Sequence, residues 1–382
     1  MKFIILDQSL SDYGGHYYNL DIGMALGAAS MGLEPLVFAH REFLATLDTR
    51  GVPVIPWFPR PFWEFAREDP ADDASFSSLI HRAVTSAGAS RADHVFFPTV
   101  GGRDLEDILN AMRRLPAGAQ PAWHIMLHFG PCGEPMRALL QRDLSNVMEE
   151  IAAMGAAFYA TTPGIARLYR DVTRVPVEPT HLPVDLVPAP TAEDGPTPTP
   201  LHVVMLGSAR PVKGYAIAPD LVAQLYDPHV LDGRLRFTFQ AVRRRSDPIE
   251  SLQALEIYPR HHVRLIRDSL TSREYFELLA SADVVLLPYA GFYRTSASSV
   301  LTEALVAGKP VIVSKDMLQA DAIDARQGCL ISDPCEVPNA LLYMAAHYPR
   351  YRDAARAAAA LWRRRHSSAA LLKVMLGAHG RC

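Results

Sequence analysis

One stretch, Ala282 to Val313, limits the fold of this chain more than any other. It reads as strand, loop, helix, stop and strand. Val284 to Leu287 is a short, wholly apolar run, the pattern of a parallel strand buried on both faces. Ser298 and Ser299 are N-cap candidates for a helix whose Val300, Leu301, Ala304, Leu305 and Ala307 make one apolar side. Gly308 is placed to end that helix, and Pro310 bars its continuation. The helix therefore aims its free N–H groups and positive dipole end above the strand ends, a setting that suits a phosphate.

From Glu303 to Val311 the residues are Glu-Ala-Leu-Val-Ala-Gly-Lys-Pro-Val. With the loop before it, this stretch resembles the donor-site signature of the GT-B glycosyltransferases, most closely the retaining, family-four-like ones. The resemblance implies an α/β protein of two doubly wound, Rossmann-like domains facing a cleft. It also implies donor contacts at Tyr293, Arg294, Thr295, Ser298, Ser299, Val300 and Glu303, with Glu303 taking both ribose hydroxyls. The family usually carries two glutamates eight positions apart, and here the first falls on Thr295. Helix counting puts Glu303 in the first turn or just beyond, where a carboxylate also suits the dipole.

At the start of the chain, strand Phe3 to Leu6 leads into a loop ending Tyr13-Gly14-Gly15-His16, then a helix from about Tyr17 to Ser30. Strand, Gly-rich loop and helix open a doubly wound fold. The dinucleotide pattern Gly-x-Gly-x-x-Gly is absent. Gly14 and Gly15 fit a tight turn; the resemblance instead makes Gly14, Gly15 and His16 donor contacts. The segment Pro53 to Phe65, with Trp57, Phe58, Phe62 and Trp63, holds too many aromatics and prolines for an ordinary helix. It fits a packed loop, or an aromatic-basic surface that holds an acceptor or rests on a membrane. Trp123 to Leu127 is a strand, and His128 follows at its carboxyl end, where ligands of open α/β sheets sit. His128 is thus a better site candidate than His124 inside the strand.

Residues 1–185 are expected to form the acceptor-side domain, and 186–200, where Pro and Thr alternate, an extended linker. Residues 201–360 would bind the nucleotide sugar, and 361–382 would cross back to the first domain, as the resemblance implies. The second domain opens with strand Leu201 to Leu206 and the loop Gly207-Ser208-Ala209-Arg210-Pro211-Val212-Lys213-Gly214. A Gly after a strand, then Arg210 and Lys213 on a short loop, gives a diphosphate two cations and backbone amides. A solvated basic loop is the plain alternative. Arg243 to Arg245 reads as a solvated turn, and Arg363 to Arg365 as an exposed face or a contact for anionic lipid.

A net charge of −3 argues against a nucleic-acid partner. Cys132, Cys329, Cys335 and Cys382 lie far apart with no Cys-x-x-Cys pair, which favours a reduced, cytosolic protein. No signal peptide is visible, and no apolar run reaches the roughly 20 residues a bilayer needs. The resemblance implies an enzyme that moves a sugar from a nucleoside-diphosphate sugar to a glycan or lipid-linked acceptor, with retention, in bacterial glycan or polysaccharide assembly. His128, Arg210 and Lys213 are its catalytic candidates. No cofactor is expected beyond the donor substrate. No metal is expected either, since the sequence lacks the Asp-x-Asp pattern of a metal-bound diphosphate. Two alternatives stay open: a catalytically inactive GT-B subunit that binds a partner, and a sugar-nucleotide epimerase on the same scaffold.

Overall fold

The structure is a computed structural model and describes residues 1–13, 16–61, 75–132, 136, 143–190, 197–242 and 250–379. The chain divides into two compact units. The first comprises Met1–Leu186, Thr295–Ala297 and Arg365–Cys382; the second comprises Val187–Arg294 and Ser298–Arg364.

In the first unit, β1 (Lys2–Leu6), β2 (Glu34–His40), β3 (Val54–Phe58), β4 (His94–Phe97), β5 (Ala122–Leu127), β6 (Ala157–Ala160) and β7 (Val177–Pro179) form one parallel sheet. Its order is β3-β2-β1-β4-β5-β6-β7, so the chain reverses direction of travel between β1 and β4. Phe3, Ile4 and Ile5 are fully buried, as a central parallel strand requires. The helices are α1 (Tyr17–Ser30), α2 (Phe76–Ser86), α3 (Gly102–Arg114), α4 (Leu144–Ala153) and α5 (Pro163–Arg170). Ser75, Asp143 and Thr162 cap α2, α4 and α5 through their side-chain oxygens, and Pro163 occupies the first turn of α5. The C-terminal helix Ser368–His379 packs on α1. Only glycine fits at Gly27 there, because a Cβ would overlap Ser368 Oγ.

The second unit repeats the plan with β8 (Leu201–Met205), β9 (Leu235–Gln240), β10 (Val263–Ile266), β11 (Val284–Leu287), β12 (Val311–Ser314) and β13 (Gly328–Ile331), ordered β10-β9-β8-β11-β12-β13 and all parallel. Its helices are α6 (Ala218–Leu225), α7 (Ser272–Ser281), α8 (Ser299–Val306), α9 (Val337–Ala346) and α10 (Tyr348–Arg365). Here the order reverses between β8 and β11. The loops leaving those two strands are therefore neighbours, and one carries Arg210 and Lys213 while the other leads to Glu303. Two Rossmann-like α/β units agree with the fold class expected from sequence.

The aromatic segment departs from expectation. Val54–Phe58 is the edge strand β3, not a loop. Phe58 is fully buried against Phe76, and Trp57 Nε1 donates to the Leu79 carbonyl at 3.0 Å. Phe58 is thus a core residue and Trp57 a half-buried one with a structural partner; Phe62 and Trp63 lie outside the described residues. Pro56 obscured the strand, yet an edge position tolerates a residue with no N–H to donate. Within the segment Val187–Pro200, Val187 is buried, and its carbonyl accepts from Arg363 Nη1 at 2.9 Å. That part is packed rather than a free spacer, and Arg363 has a structural partner. Arg243, Arg244 and Arg245 lie outside the described residues. Among the described residues no helix is long and apolar enough to cross a membrane.

Candidate functional site

In the second unit the loop after β8 begins at Gly207 with φ +105°, a conformation other residues rarely adopt. Gly207 N donates to Gln240 Oε1 at 2.8 Å, which ties the loop to the carboxyl end of β9. Tyr215 OH donates to the Gln240 carbonyl at 2.5 Å. Pro211–Lys213 forms a single tight turn, closed by Gly214 at φ +72°. A Cβ at Gly214 would collide with the Pro288 carbonyl oxygen, so the β8 and β11 loops meet backbone to backbone. Ala290 N donates to the Val212 carbonyl at 2.9 Å and joins them again. This packing holds Lys213 8 % exposed, its ammonium 5.6 Å from the Tyr289 ring centre and close to Gly207. The Arg210 guanidinium lies 5.2 Å from the Phe292 ring centre. Both cations therefore stand over aromatic faces at the point where the strand order reverses.

Ser298 caps α8, its hydroxyl accepting from Leu301 N at 3.2 Å. Ser298 N donates to Gln319 Oε1, so this amide is not open to a phosphate as the sequence reading had it. Ser299 and Val300 head the helix, where no carbonyl one turn earlier is available to their N–H groups. Glu303 lies beyond the first turn and is 3 % exposed. Its Oε2 accepts from Tyr275 OH at 2.6 Å. Burial, reinforced by the adjacent Glu303 carboxylate, raises the Tyr275 phenol well above its ordinary pKa, so Tyr275 remains a donor. The helix ends as its residues dictate: Gly308 has φ +66°, Lys309 N donates to Ala304 O at 2.9 Å and Gly308 N to Leu305 O at 3.1 Å. Lys309 Nζ then reaches the Ala280 carbonyl of α7 at 2.5 Å, and burial lowers its pKa to about 8.

Three other candidates are placed differently. Tyr293 is buried, its ring centre 4.5 Å from that of Tyr289. Arg294 is exposed and paired with Asp316 at 2.6 Å. Thr295 belongs to the first unit, where its carbonyl accepts from Gly130 N at 2.6 Å; beside it, Ser296 bridges Phe129 and Ala297 N donates to His128 O at 3.2 Å.

In the first unit, His16 and His128 come together at the carboxyl ends of the strands, ring centres 4.5 Å apart. His16 Nε2 lies 3.0 Å from Thr99 Oγ1. His128 Nε2 lies 2.6 Å from the Pro98 carbonyl, which can only accept, so Nε2 carries the proton and Nδ1 the lone pair. Burial lowers the His128 pKa to about 4 and keeps the ring neutral. The same unit holds a group that sequence reading missed. Burial raises Asp7 and Asp104 to about 7 and, with the Asp7 charge, pushes Asp21 well above the usual carboxylate range. Asp104 is held by Gly101 N at 2.6 Å and Gln8 Nε2 at 3.1 Å. Gly14 and Gly15 lie outside the described residues.

Tyr275, Gln240 and Gln319 also escaped sequence reading, since each serves the site through a partner far away in the chain. Asp7 alone had a local signal, a charged residue directly after the apolar strand β1. Among the described residues no group of three His, Cys, Asp or Glu side chains could hold a metal ion.

No protein-family model matches this chain, and no curated protein matches it. Solved structures do. Sucrose-phosphate synthase from Thermosynechococcus elongatus aligns over 99 % of both chains with TM-score 0.67 and 17 % identity. HepE from Anabaena, in complex with UDP and glucose, aligns over 100 % of both with TM-score 0.70 and 17 % identity. A glycosyltransferase from Rickettsia africae aligns over 100 % of both with TM-score 0.70 and 11 % identity. The fold is that of the GT-B glycosyltransferases.

Proposed function

We propose that the protein is a nucleotide-sugar-dependent glycosyltransferase whose second unit binds the donor diphosphate. One observation carries this reading: Arg210, Lys213 and the first amides of α8 converge where the strand order reverses, one helical turn from the buried Glu303 carboxylate. Cleaving a sugar–phosphate bond puts negative charge on the departing diphosphate. Lys213, already partly withdrawn from water, and Arg210 would stabilise that charge with little reorganisation. Glu303, oriented by Tyr275, is the acceptor for a pair of ribose hydroxyls. The UDP and glucose in the HepE complex suggest a UDP-sugar as the first donor to try. His128, neutral with Nδ1 as acceptor, is suited to a hydroxyl rather than to proton abstraction. In this reading the sugar passes with retention and without metal to a hydroxyl of a glycan or lipid-linked acceptor, as in bacterial polysaccharide assembly. Calorimetric titration with UDP, GDP and ADP tests the donor site. Micromolar binding of one of them that is lost in Lys213→Ala supports the reading, and absence of binding by all three refutes it.

A further inference from the structure

A cavity lies elsewhere on the second unit. Strand β9 reads Leu235-Arg236-Phe237-Thr238-Phe239-Gln240, alternating apolar and polar, although parallel strands covered on both faces are apolar throughout. Leu235, Phe237 and Phe239 belong to the hydrophobic core on one face. The register sets His202 beside Arg236 and Thr238 beside Arg264, so the other face of β8, β9 and β10 is polar. Between that face and α7 is a cavity of about 410 Å³, within the range of small-molecule sites.

Its floor is already satisfied. His202 Nδ1 bonds the Ser281 carbonyl at 3.0 Å and Nε2 bonds Thr238 Oγ1 at 2.8 Å. The walls are not: Arg236, Arg260 and Arg264 line the cavity and have no ion-pair or hydrogen-bond partner among the described residues. Two carboxylates on α7 also line it, but both are occupied. Glu274 accepts from Thr271 N at 2.8 Å in the helix cap, and Glu277 pairs with Arg273 at 2.7 Å. Three guanidinium groups around a cavity of this size match a compact ligand with several phosphate oxygens, since each offers a planar fork of donors.

We propose that this groove binds a small phosphate-bearing polyanion, separately from the donor loops and independently of the donor reading. Inorganic tripolyphosphate is the probe, titrated calorimetrically into the full chain and into two variants. Lys213→Ala removes the donor-loop cation and leaves the groove intact. Arg260→Ser with Arg264→Ser removes two exposed groove cations, and the melting temperature without ligand checks folding. The expected result is that Lys213→Ala still binds tripolyphosphate, and that adding the two serine substitutions weakens this binding at least tenfold. Equal affinity with and without the two arginines, or no binding by Lys213→Ala, overturns the proposal. Should the double serine variant melt early, Arg264→Lys serves in its place: it keeps the charge but not the fork, and an affinity unchanged from the parent would equally overturn the proposal.

Discussion

The two sheets share a topology and oppose each other in chemistry. In both, the chain leaves the central strand, crosses back twice, then resumes on the other side, which leaves two loops side by side at the carboxyl ends. In the second unit those loops hold Arg210, Lys213 and the start of α8, all electropositive. In the first, the loop after β1 begins at Asp7, whose pKa burial raises to about 7, and the neutral His128 follows β5, the strand beyond β4. The same position in the two sheets thus carries cations in one unit and a buried carboxyl in the other, with a neutral histidine one strand further on. Strand order dictates where a ligand sits, and a few loop residues dictate what it is.

The sharpest way to break this contrast is to remove the second unit's charge. Lys213→Ala should weaken nucleoside-diphosphate binding by about 2–4 kcal/mol, read by titration calorimetry. Wild-type affinity would make the loop an ordinary solvated turn. Gly214→Ala attacks the same site through the backbone. It combines a disfavoured φ with a collision at Pro288, and should cost about 2 kcal/mol or more in denaturant unfolding. Glu303→Gln retains packing and an acceptor for Tyr275 but loses the charge. We expect a folded protein that binds the ribonucleotide about 1–2 kcal/mol more weakly and distinguishes it less from the 2′-deoxy form. Unchanged affinity would leave this carboxylate a packing element.

The first unit can be probed by pH. Asp7, Asp21 and Asp104 have folded pKa values above their unfolded ones, so the native state binds more protons. For Asp7 and Asp104 this favours folding below pH 4 and is lost as pH rises through about 7, and Asp21 acts in the same direction. His128 works the other way: its depressed pKa gives stability present above about 6.5 and lost as pH falls through about 4. Asp21→Asn should therefore flatten the decline of melting temperature between pH 5 and 8, measured by scanning calorimetry. An identical slope would show that Asp21 is ionised in the fold. The smallest effect concerns metal: with cations supplied by Arg210 and Lys213, transfer should survive EDTA, and loss of activity restored by Mn²⁺ or Mg²⁺ would replace this mechanism with a metal-assisted one.

What could be read from sequence was local. The α8 stretch announced itself because Ser298, Gly308 and Pro310 act on their own neighbours, and Val284 to Leu287 because a doubly covered strand needs nothing but apolar residues. The partners of the site were hidden for the opposite reason. Tyr275 meets Glu303 across 28 residues, and Gln240 meets Gly207 across 33, distances over which no periodicity speaks. Ser298 looked free to hold a phosphate because Gln319, which takes its N–H, lies on another loop. Trp57 and Phe58 misled because aromatic density indicates burial and exposure alike until the covering helix is known. Arg236 and Arg264 lie on different strands, and only the strand register sets them on one face.

Helix α7 is joined to α8 at both ends, by Tyr275 to Glu303 and by Lys309 to Ala280. Lys309, inside the stretch most readily taken for donor chemistry, therefore acts as joinery. An activity loss in a Lys309 variant would report a shifted scaffold rather than a missing substrate contact. If Glu303 takes the donor ribose as proposed, libraries confined to the two loops would hold the carboxylate where α7 puts it, and variation at Tyr275 is the lever that moves it.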